Sequence, residues 1–542
     1  MKARFVCLLF VFVVCPLVAV VERASAEATS AGKPLPAELQ AVLDKPLYKN
    51  ATWGLRVVDL DTGDVVYDLK SEQKFLAGSV RKLITIGLAL DKLGVDHKFV
   101  TPIYWRGTVK NGVLDGDLVL IASGDLSMGG RMNPDGTLAI SNYDHNEANA
   151  LGNAQLTAPD PMAGYAQLAA QVAKAGIKEV KGDVIIDDRL FKPFNFRNEF
   201  DVRPIFVNDD VVDVMMEPGP AGAKASVDWR PKSAAFAVEP SLAMAPSGSE
   251  SEIKLEPDLP ACFGKAGCKG EVSGTLPLGF VPPLTEKYPL VRTFRIVEPQ
   301  NFARTALIDA LKKTGVNVKA EAVGQNAADK LPPRGSYAAE AKVAELVSVP
   351  YSEYAKWVLK VSYNIGADTS LVLFGLTQGA DSMPASLAAE KKTLAAEFHT
   401  QPCEYEFLDG SGGGDSAATP SAIVRFLRSM HNEKFFQLYK DCQPILATDG
   451  SLAFVTDFMS NPSLAGAKGR VYAKTGTFLE GKDDGTVTLK AQAFAGYIDA
   501  KSGRRLAYAL FVNNVAPVSG LEDVLHAFQD EGTISAIIWS AN

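Results

Sequence analysis

Two regions near the ends of the chain alternate apolar and polar positions, as β-strands with one buried face do. Residues 52–75 are rich in β-branched side chains and carry a turn at residues 61–64, so they predict a β-hairpin. Residues 487–515 form two more alternating runs around a turn at residues 500–503. A helix is predicted over residues 521–539, close to the C-terminus.

Helical periodicity predicts further helices. The segment 79–90 is apolar around almost its whole circumference, which is typical of a helix buried in the middle of a domain, and Ser79 lies at its start. Residues 301–315 predict an amphipathic helix that ends in a glycine suited to the left-handed position after a helix. Helices are also predicted within residues 351–376 and 419–431.

From about residue 100 to about residue 290 the pattern changes to short strand-like runs separated by Gly, Pro and Asn turns. One helix is predicted there, over residues 163–176. The strand-like runs lie at residues 117–122, 182–188, 225–230 and 234–240. This part of the chain is therefore predicted to be a β-rich insertion.

The N-terminus has the features of a secretory signal peptide. Lys2 and Arg4 precede an apolar run over residues 5–21, and the small residues 24–26 supply a signal-peptidase site. We therefore predict that residues 1–26 are removed and that the protein is exported to the periplasm. The alternative is an uncleaved anchor, but the apolar run is at the short limit for a spanning helix. No later stretch approaches about 20 consecutive apolar residues, so no membrane span is expected after cleavage.

Composition excludes some classes of protein. Apolar residues make up 47% of the chain and charged residues 22%, which is typical of a folded protein rather than a disordered one. There are 55 Lys and Arg residues against 63 Asp and Glu residues, for a net charge of -8, and no basic cluster stands out. Nucleic acid is therefore not an expected partner.

Cysteine and histidine spacing predicts disulfides, no metal site and no cofactor. The four cysteines after the leader would favour disulfides in an oxidising compartment. Cys262 and Cys268 would close a short loop, while Cys403 and Cys442 could bracket a glycine-rich stretch, and spacing alone leaves the pairing open. No Cys-x-x-Cys occurs, and the five histidines never lie four residues apart as metal ligands on one helix face would.

Three short motifs carry the candidate chemistry. Ser79 and Lys82 are three residues apart at a helix start, so their side chains lie on one face of the helix. A serine hydroxyl becomes a nucleophile when a base removes its proton, and a lysine amine can serve once burial and a neighbouring cation lower its pKa. Ser362 and Asn364 lie between two predicted helices, where a short loop can present both side chains. Lys474 begins a Lys-Thr-Gly motif in strand-like surroundings near the C-terminus.

Each motif also occurs at a second place where its surroundings favour a structural role. Ser71 and Lys74 lie in a polar stretch between a strand and a helix, which we interpret as a solvated connection. The Lys-Thr-Gly at residues 313–315 is interpreted as the basic last turn and glycine cap of a helix. The Ser-x-Asn at residues 540–542 lies at the extreme C-terminus, where fraying argues against catalysis.

In this order, the three motifs resemble those of the serine penicillin-recognising enzymes, which include penicillin-binding proteins and class A β-lactamases. The long stretch between Lys82 and Ser362 is similar to that of the class C low-molecular-mass penicillin-binding proteins, the D-alanyl-D-alanine carboxypeptidase and endopeptidase family. Further stretches similar to that family lie at residues 111–118, 182–187, 408–412 and 448–452. The resemblance therefore spans most of the chain after the leader.

The resemblance implies an α+β fold of the penicillin-binding and β-lactamase type, in which helices flank an antiparallel sheet. Residues 27–100 and 290–542 would together form this serine peptidase domain. Residues 101–289 would form the β-rich insertion, divided into two small units.

The resemblance also implies a serine D-Ala-D-Ala carboxypeptidase or endopeptidase that acts on peptidoglycan stem peptides and is inhibited by β-lactams. Ser79 would be the nucleophile and Lys82 its base, while Ser362 would relay a proton and Asn364 would hold a substrate amide. Lys474 would lower the pKa of Lys82 by its like charge. The balance between the two activities stays open.

The resemblance places the terminal carboxylate of the substrate on the Lys-Thr-Gly strand. Thr475, Gly476 and Thr477 would line its binding site beside Lys474. The backbone N–H groups of Ser79 and Thr477 would form the oxyanion hole.

Two positions depart from the family pattern. Tyr363 stands between Ser362 and Asn364 where family members often have Asp. Residues 413–416 stand where the family often has a Leu-Ser-Arg type of sequence, so an arginine that could bind an acidic substrate side chain is missing. Two alternatives also stay open: a β-lactamase or esterase of the same fold, and a catalytically silent peptidoglycan-binding protein.

Overall fold

The structure is a computed structural model that describes residues 32–481, 487–518 and 520–542. The predicted signal peptide, residues 1–26, lies outside the described residues. Within them, no helix has both the length and the apolar character needed to cross a membrane.

The secondary structure alternates between helices and strands along most of the chain. The α-helices, in chain order, are α1 Ala37–Leu43, α2 Lys82–Leu93, α3 Ala148–Leu151, α4 Ala163–Lys174, α5 Pro299–Lys313, α6 Tyr351–Val361, α7 Asn364–Thr377, α8 Met383–Glu397, α9 Pro420–His431, α10 Phe436–Asp441 and α11 Leu521–Ala541. The strands, in chain order, are β1 Thr52–Asp59, β2 Val65–Leu69, β3 Phe75–Leu76, β4 Val100–Lys110, β5 Val113–Ile121, β6 Glu179–Val180, β7 Val184–Asp187, β8 Phe194–Phe196, β9 Phe200–Val202, β10 Val211–Glu217, β11 Ser226–Arg230, β12 Ala237–Pro240, β13 Ala243–Ala245, β14 Glu252–Glu256, β15 Lys269–Pro277, β16 Leu290–Arg295, β17 Asn317–Val318, β18 Lys342–Val347, β19 Tyr405–Glu406, β20 Ala417–Ala418, β21 Val471–Gly481, β22 Val487–Asp499 and β23 Arg505–Val518.

The central sheet is antiparallel, with the strand order β2-β1-β23-β22-β21. Leu55 of β1 lies opposite Leu510 of β23, and Lys474 of β21 lies opposite Ala495 of β22. The two hairpins predicted from alternation therefore join into one sheet, although the strands that form it lie at opposite ends of the chain.

Alternation along β23 separates the two faces of this sheet. Leu506, Leu510 and Val512 point into an apolar cluster that also holds side chains of α11. Ala507 and Ala509 point to the other face, into the cluster that holds the side chains of α2 and α9. Both faces are covered by helices, so both carry apolar side chains.

Helix α2 lies in the middle of the molecule, as its apolar circumference predicted. Every residue from Lys82 to Leu90 is buried, and the helix packs against α6, α7 and α9. The helix begins at Lys82, because residues Gly78–Arg81 form a 3-10 turn that precedes it. Ser79 therefore lies on this turn and not in the α-helix that the pattern predicted to begin there.

Helix α8 was missed by the sequence analysis. Its buried side chains are mostly polar and include Ser386, Glu390 and Thr393. Glu390 forms a buried ion pair with Arg81, the last residue of the 3-10 turn Gly78–Arg81, which we call the nucleophile turn after the predicted role of Ser79. A helix that turns polar groups inward shows no apolar stripe, so periodicity could not reveal it.

The β-rich insertion is organised around a mixed sheet with the strand order β17-β6-β5-β4-β18, to which β7 is also paired. The smaller sheets β11-β10-β16 and β12-β15-β13 follow. The predicted strand-like runs coincide with β5, β7, β11 and β12, and the predicted helix coincides with α4. The domain bounds stay a prediction, and the pairing of β16 with β10 and of β18 with β4 favours an insertion that ends near residue 347 rather than at 289.

One of the two predicted disulfides is present. Cys262 and Cys268 form a disulfide. Cys403 is an exposed free cysteine and Cys442 is a buried one, so the second pairing that the spacing allowed is wrong. Burial raises the pKa of the Cys442 thiol to about 12.

A network of buried charges holds the insertion together. The guanidinium of Arg131 donates to Asp144 at 2.9 Å and to Asp209 at 2.7 Å. The ring of His145 lies 2.6 Å from Asp209 and 2.7 Å from Asp213. Burial lowers the pKa of His145, but the charge of Asp213 and the hydrogen bonds to Asp209 and Asp213 outweigh it and raise that pKa to about 9.

Asp144, His145 and Asp209 lie close enough to one another to hold a metal ion. The Arg131 guanidinium lies against all three, with its Nη2 2.8 Å from the Nε2 of the His145 ring. Arg131 therefore supplies the positive charge that these carboxylates need, and we call Arg131, Asp144, His145, Asp209 and Asp213 the insertion charge network.

We expect Arg131→Met to lower the free energy of unfolding by about 3–5 kcal/mol, because it leaves buried carboxylates without their partner. The measurement is urea denaturation followed by circular dichroism. Lys254→Met is the matched control, since Lys254 forms an exposed ion pair with Glu252 in the same insertion and should leave stability unchanged. Equal stability of the Arg131→Met protein and the wild type would show that the network does not stabilise the fold.

Candidate active site

The predicted serine and lysine lie side by side. The Nζ of Lys82 is 2.7 Å from the Oγ of Ser79, one turn away along the chain. Ser79 is partly exposed, whereas Lys82 is fully buried. The spacing of three residues therefore produces the contact that it predicted.

Among the described residues, the amine of Lys82 has three oxygen partners. Besides Ser79, it lies 2.6 Å from the Oδ1 of Asn364 and 2.8 Å from the backbone oxygen of Ser411. The two carbonyl oxygens can only accept hydrogen bonds, whereas a hydroxyl can also donate. A neutral amine has two hydrogens for the carbonyls, so its lone pair points at the Ser79 hydroxyl.

The surroundings of Lys82 favour its neutral form. Burial lowers the pKa of the amine, against the attraction of the carboxylates of Asp368 and Asp409. Burial and the charge of Asp409 in turn raise the pKa of Asp368, which weakens that attraction. Arg197 adds a like charge that lowers the pKa of Lys82 further.

The lowering of the Lys82 pKa by Lys474 stays a prediction, and the two amines do repel each other. Burial is the largest cause of the lowered pKa of Lys82, and the cation that lowers it further is Arg197. Burial also lowers the pKa of Lys474, and there it is the charge of Lys82 that adds to the effect. The lowered pKa of Lys474 thus favours the neutral form of a second amine near Lys82.

The Ser-x-Asn motif lies at a junction of two helices, as predicted. Ser362 caps α6 with a left-handed backbone, φ 63°, and Asn364 is the first residue of α7. A positive φ is uncommon for a serine and is typical of functional turns. The strained turn leaves the side chains of Ser362 and Asn364 on the wall of the cleft.

The departure at Tyr363 has a packing explanation. Tyr363 is buried and stacks on Trp357 with 4.6 Å between ring centroids. The guanidinium of Arg131, from the insertion charge network, lies 4.2 Å from the ring of Trp357. Tyr363 therefore faces the core, while its two neighbours face the cleft.

The Lys-Thr-Gly motif lies on β21, the edge strand of the central sheet. Lys474 is fully buried and donates to the backbone oxygen of Thr475. The hydroxyls of Thr475 and Thr477 contact Ser451 at 2.8 Å and Gln492 at 2.9 Å, respectively.

Gly476 lets β21 approach the nucleophile turn. A Cβ on Gly476 would lie 2.3 Å from the backbone oxygen of Ala77 and 3.1 Å from the nitrogen of Ser79. A Cβ on Gly78, whose φ is +48°, would lie 3.0 Å from the nitrogen of Thr477. The backbone nitrogens of Ser79 and Thr477 therefore lie on two segments in direct contact.

A cleft of about 670 Å³ brings these motifs together. Its predicted lining residues are Ser79, Ser362, Asn364, Thr475 and Thr477. Lys82 and Lys474 are buried.

Other lining residues were missed by the sequence analysis. Glu147, Leu151 and Arg197 come from the insertion, and Phe478 and Leu479 continue β21. No motif surrounds Glu147 or Arg197, so the sequence carried no signal for them. The stretch 408–412 did resemble the family, and its Ser411 supplies a carbonyl to Lys82.

The second copies of the motifs lie elsewhere. The connection that holds Ser71 and Lys74 is exposed at Lys70 and at residues 72–74, as interpreted, although Ser71 itself is buried and bonded to Asp68 and Ser421. The glycine of the copy at residues 313–315 follows α5 with φ +84°, as predicted. Asn542, in the third copy, is buried and bonded to Arg504, so this end is not frayed.

A serine and a buried lysine on one turn, a Ser-x-Asn junction and a Lys-Thr-Gly edge strand around one cleft define the class of serine penicillin-recognising enzymes. The chain belongs to the D-Ala-D-Ala carboxypeptidase 3 (S13) family, whose model matches residues 35–527. The predicted family, fold class and class of enzyme, a serine D-Ala-D-Ala carboxypeptidase, are thereby confirmed.

Individual relatives agree with this assignment. The chain is 25% identical to the D-alanyl-D-alanine carboxypeptidase of Actinomadura sp. (strain R39) over 498 residues, which cover 88% of this chain and 80% of the relative. Its fold is similar to that of penicillin binding protein 4 (dacB) from Haemophilus influenzae, with a TM-score of 0.65, 16% identity, and coverage of 93% and 100% of the two chains. The complex of that protein with a novel β-lactam matches with the same TM-score at 18% identity.

We expect Gly476→Ala to reduce acylation by a fluorescent penicillin strongly, because the added Cβ would force β21 away from the nucleophile turn. Gly481→Ala is the matched control on the same strand, since no atom of the described residues lies within 4 Å of its Cβ position. Both variants are compared with the wild type by their second-order rates of labelling with the fluorescent penicillin. Wild-type labelling of the Gly476→Ala protein would show that this close approach is dispensable.

Proposed function

We propose that this protein is a serine D-Ala-D-Ala carboxypeptidase or endopeptidase that acts on peptidoglycan stem peptides through an acyl-enzyme on Ser79. The observation that carries the proposal is the set of partners of Lys82. Two carbonyl oxygens accept its hydrogens, and the Ser79 hydroxyl lies 2.7 Å away, where the lone pair can receive a proton.

In the first step Lys82 takes the proton of Ser79 as the Oγ attacks the carbonyl carbon of the penultimate D-alanine. The backbone N–H groups of Ser79 and Thr477 stabilise the negative charge that develops on the carbonyl oxygen. Ser362 then relays the proton from Lys82 to the departing amine, and the C–N bond breaks. Asn364 orients Lys82 through its amide oxygen and lies where it can also hold a substrate amide.

The terminal carboxylate of the substrate would lie against β21. The hydroxyl of Thr477 donates to Gln492, whereas the hydroxyls of Thr475 and Ser451 can exchange donor and acceptor roles. If Ser451 donates to Thr475, the hydrogen of Thr475 is available for the carboxylate. Thr475 is therefore the better side-chain donor, with Thr477 contributing its backbone and Gly476 the close approach. Lys474 lies beneath the strand and donates to the backbone oxygen of Thr475.

Water completes the cycle by hydrolysing the acyl-enzyme. The leaving amine would be free D-alanine in a carboxypeptidase and the side chain of a neighbouring peptide in an endopeptidase, and the same residues serve both reactions. β-Lactams would acylate Ser79 by the same first step and be released slowly. The predicted leader, residues 1–26, supports export to the periplasm, where this substrate lies.

We expect Ser79→Ala to abolish both release of D-alanine from a stem pentapeptide and covalent labelling by a fluorescent penicillin. Ser71→Ala is the matched control, because Ser71 and Lys74 have the same spacing but lie outside the cleft. Mass spectrometry of the labelled protein, followed by peptide mapping, identifies the acylated residue. An adduct on another serine would overturn the assignment, and fast turnover of a cephalosporin would favour a β-lactamase.

We expect the acylation rate to rise with pH as Lys82 loses its proton, and Lys82→Arg to abolish this rise. Burial lowers the pKa of Lys82, so its neutral form is available at a lower pH than for an exposed lysine. Arginine stays protonated, so the rate should fall by about 100-fold or more at pH values where Lys82 is neutral, and the difference from the wild type should shrink at low pH, where Lys82 is protonated too.

The labelling rate as a function of pH measures this change. Lys440→Arg is the control, since Lys440 is a buried lysine paired with Asp499. An unchanged pH profile in the Lys82→Arg protein would exclude Lys82 as the base.

A further inference from the structure

A residue of the insertion reaches the catalytic motifs. Glu147 ends the 3-10 turn His145–Glu147 and lines the cleft. One of its carboxylate oxygens accepts a hydrogen bond of 2.8 Å from the Nδ2 of Asn364. The other end of the same amide, Oδ1, lies 2.6 Å from the amine of Lys82. Asn364 thus bridges Glu147 and Lys82.

A side-chain amide has two chemically different ends, and its neighbours decide which way it points. An ionised carboxylate accepts hydrogen bonds and cannot donate them, so it requires the NH2 end of Asn364. The oxygen end must then face Lys82. If the amide rotated by half a turn, its NH2 group would face the amine and compete with Ser79 for the lone pair.

The turn that carries Glu147 is fixed from within the insertion. His145 is held by Asp209 and Asp213, and the carboxylate of Asp144 binds Arg131 and accepts the backbone N–H of Asn146. The insertion charge network therefore anchors the turn on one side. Glu147, the last residue of the turn, reaches the cleft on the other side.

We propose that Glu147 is a positioning residue of the active site, which orients the amide of Asn364 so that the lone pair of Lys82 points at Ser79. The proposal rests on the roles of Ser79 and Lys82 proposed above. With this role, Glu147 makes the insertion part of the proton-transfer machinery, although Glu147 is remote in sequence from all three motifs.

The pH profile offers a readout that a purely structural role would not move. The groups whose charges act on Lys82 or are acted on by it are Asp368 of α7, Asp409, Arg197, Lys474 of β21 and Glu147. Glu147 raises the pKa of Lys82, so removing its charge lowers that pKa and shifts the acid limb of the rate profile to lower pH. The other groups are the same in each variant, so the shift reports on Glu147.

The test compares Glu147→Gln and Glu147→Ala by their second-order rates of labelling with fluorescent penicillin across the acid limb. Both should shift the limb to lower pH. Glu147→Ala should also lower the plateau by roughly 100-fold, the typical effect of misplacing a catalytic group by about 1 Å. Glu147→Gln keeps an oxygen that can accept from Asn364, so its plateau should lie between those of Ala and the wild type.

The control is Glu250→Ala, which removes an exposed carboxylate of the same insertion away from the cleft and should match the wild type. A wild-type plateau in Glu147→Ala overturns the proposal. Equal plateau losses in both Glu147 variants without a shift of the limb also overturn it, because they reduce Glu147 to a structural support. Failure of the proposed function has a different signature, since the wild-type protein itself would then not be acylated at Ser79.

Discussion

The amine of Lys82 is buried beside three oxygen atoms that come from three separate segments, and the rest of the site is built around it. The turn before α2 supplies Ser79, the start of α7 supplies Asn364, and the loop before β20 supplies the carbonyl of Ser411. A buried ammonium is costly to desolvate, so the interior favours the neutral amine. Two acceptor-only partners then direct its lone pair to the hydroxyl. The position of the Lys82 amine and its protonation state therefore follow from the same packing.

That packing depends on helix α2 and on strand β21. Helix α2 holds Lys82 in place because it is enclosed by α6, α7, α9 and the central sheet. The edge strand β21 reaches the nucleophile turn because Gly476 and Gly78 leave no side chain between them. A larger residue at either glycine would separate the backbone nitrogens of Ser79 and Thr477. The proposed oxyanion site is therefore a consequence of how the sheet edge meets the helix.

The insertion extends this arrangement rather than standing apart from it. Arg131 lies against Trp357, which stacks on Tyr363, so the residue between Ser362 and Asn364 is packed from the insertion side. Glu147 and Arg197 bring opposite charges to the cleft. A tyrosine can thus stand at position 363, because this side chain serves packing while its two neighbours face the cleft.

Local patterns in the sequence determined the elements and the reactive pairs. The Ser79 to Lys82 contact follows from their spacing of three residues, which places both side chains on one face of a helical turn, and the strands around residues 52–75 and 487–515 follow from alternation. Tertiary structure alone decided the remaining features. These are the polar buried face of α8, the free thiols of Cys403 and Cys442, the charge that acts on Lys82, and the presence of Glu147 and Arg197 in the cleft. Each depends on contacts between residues far apart in the chain, and neither periodicity nor short-range spacing carries information about which distant segments meet.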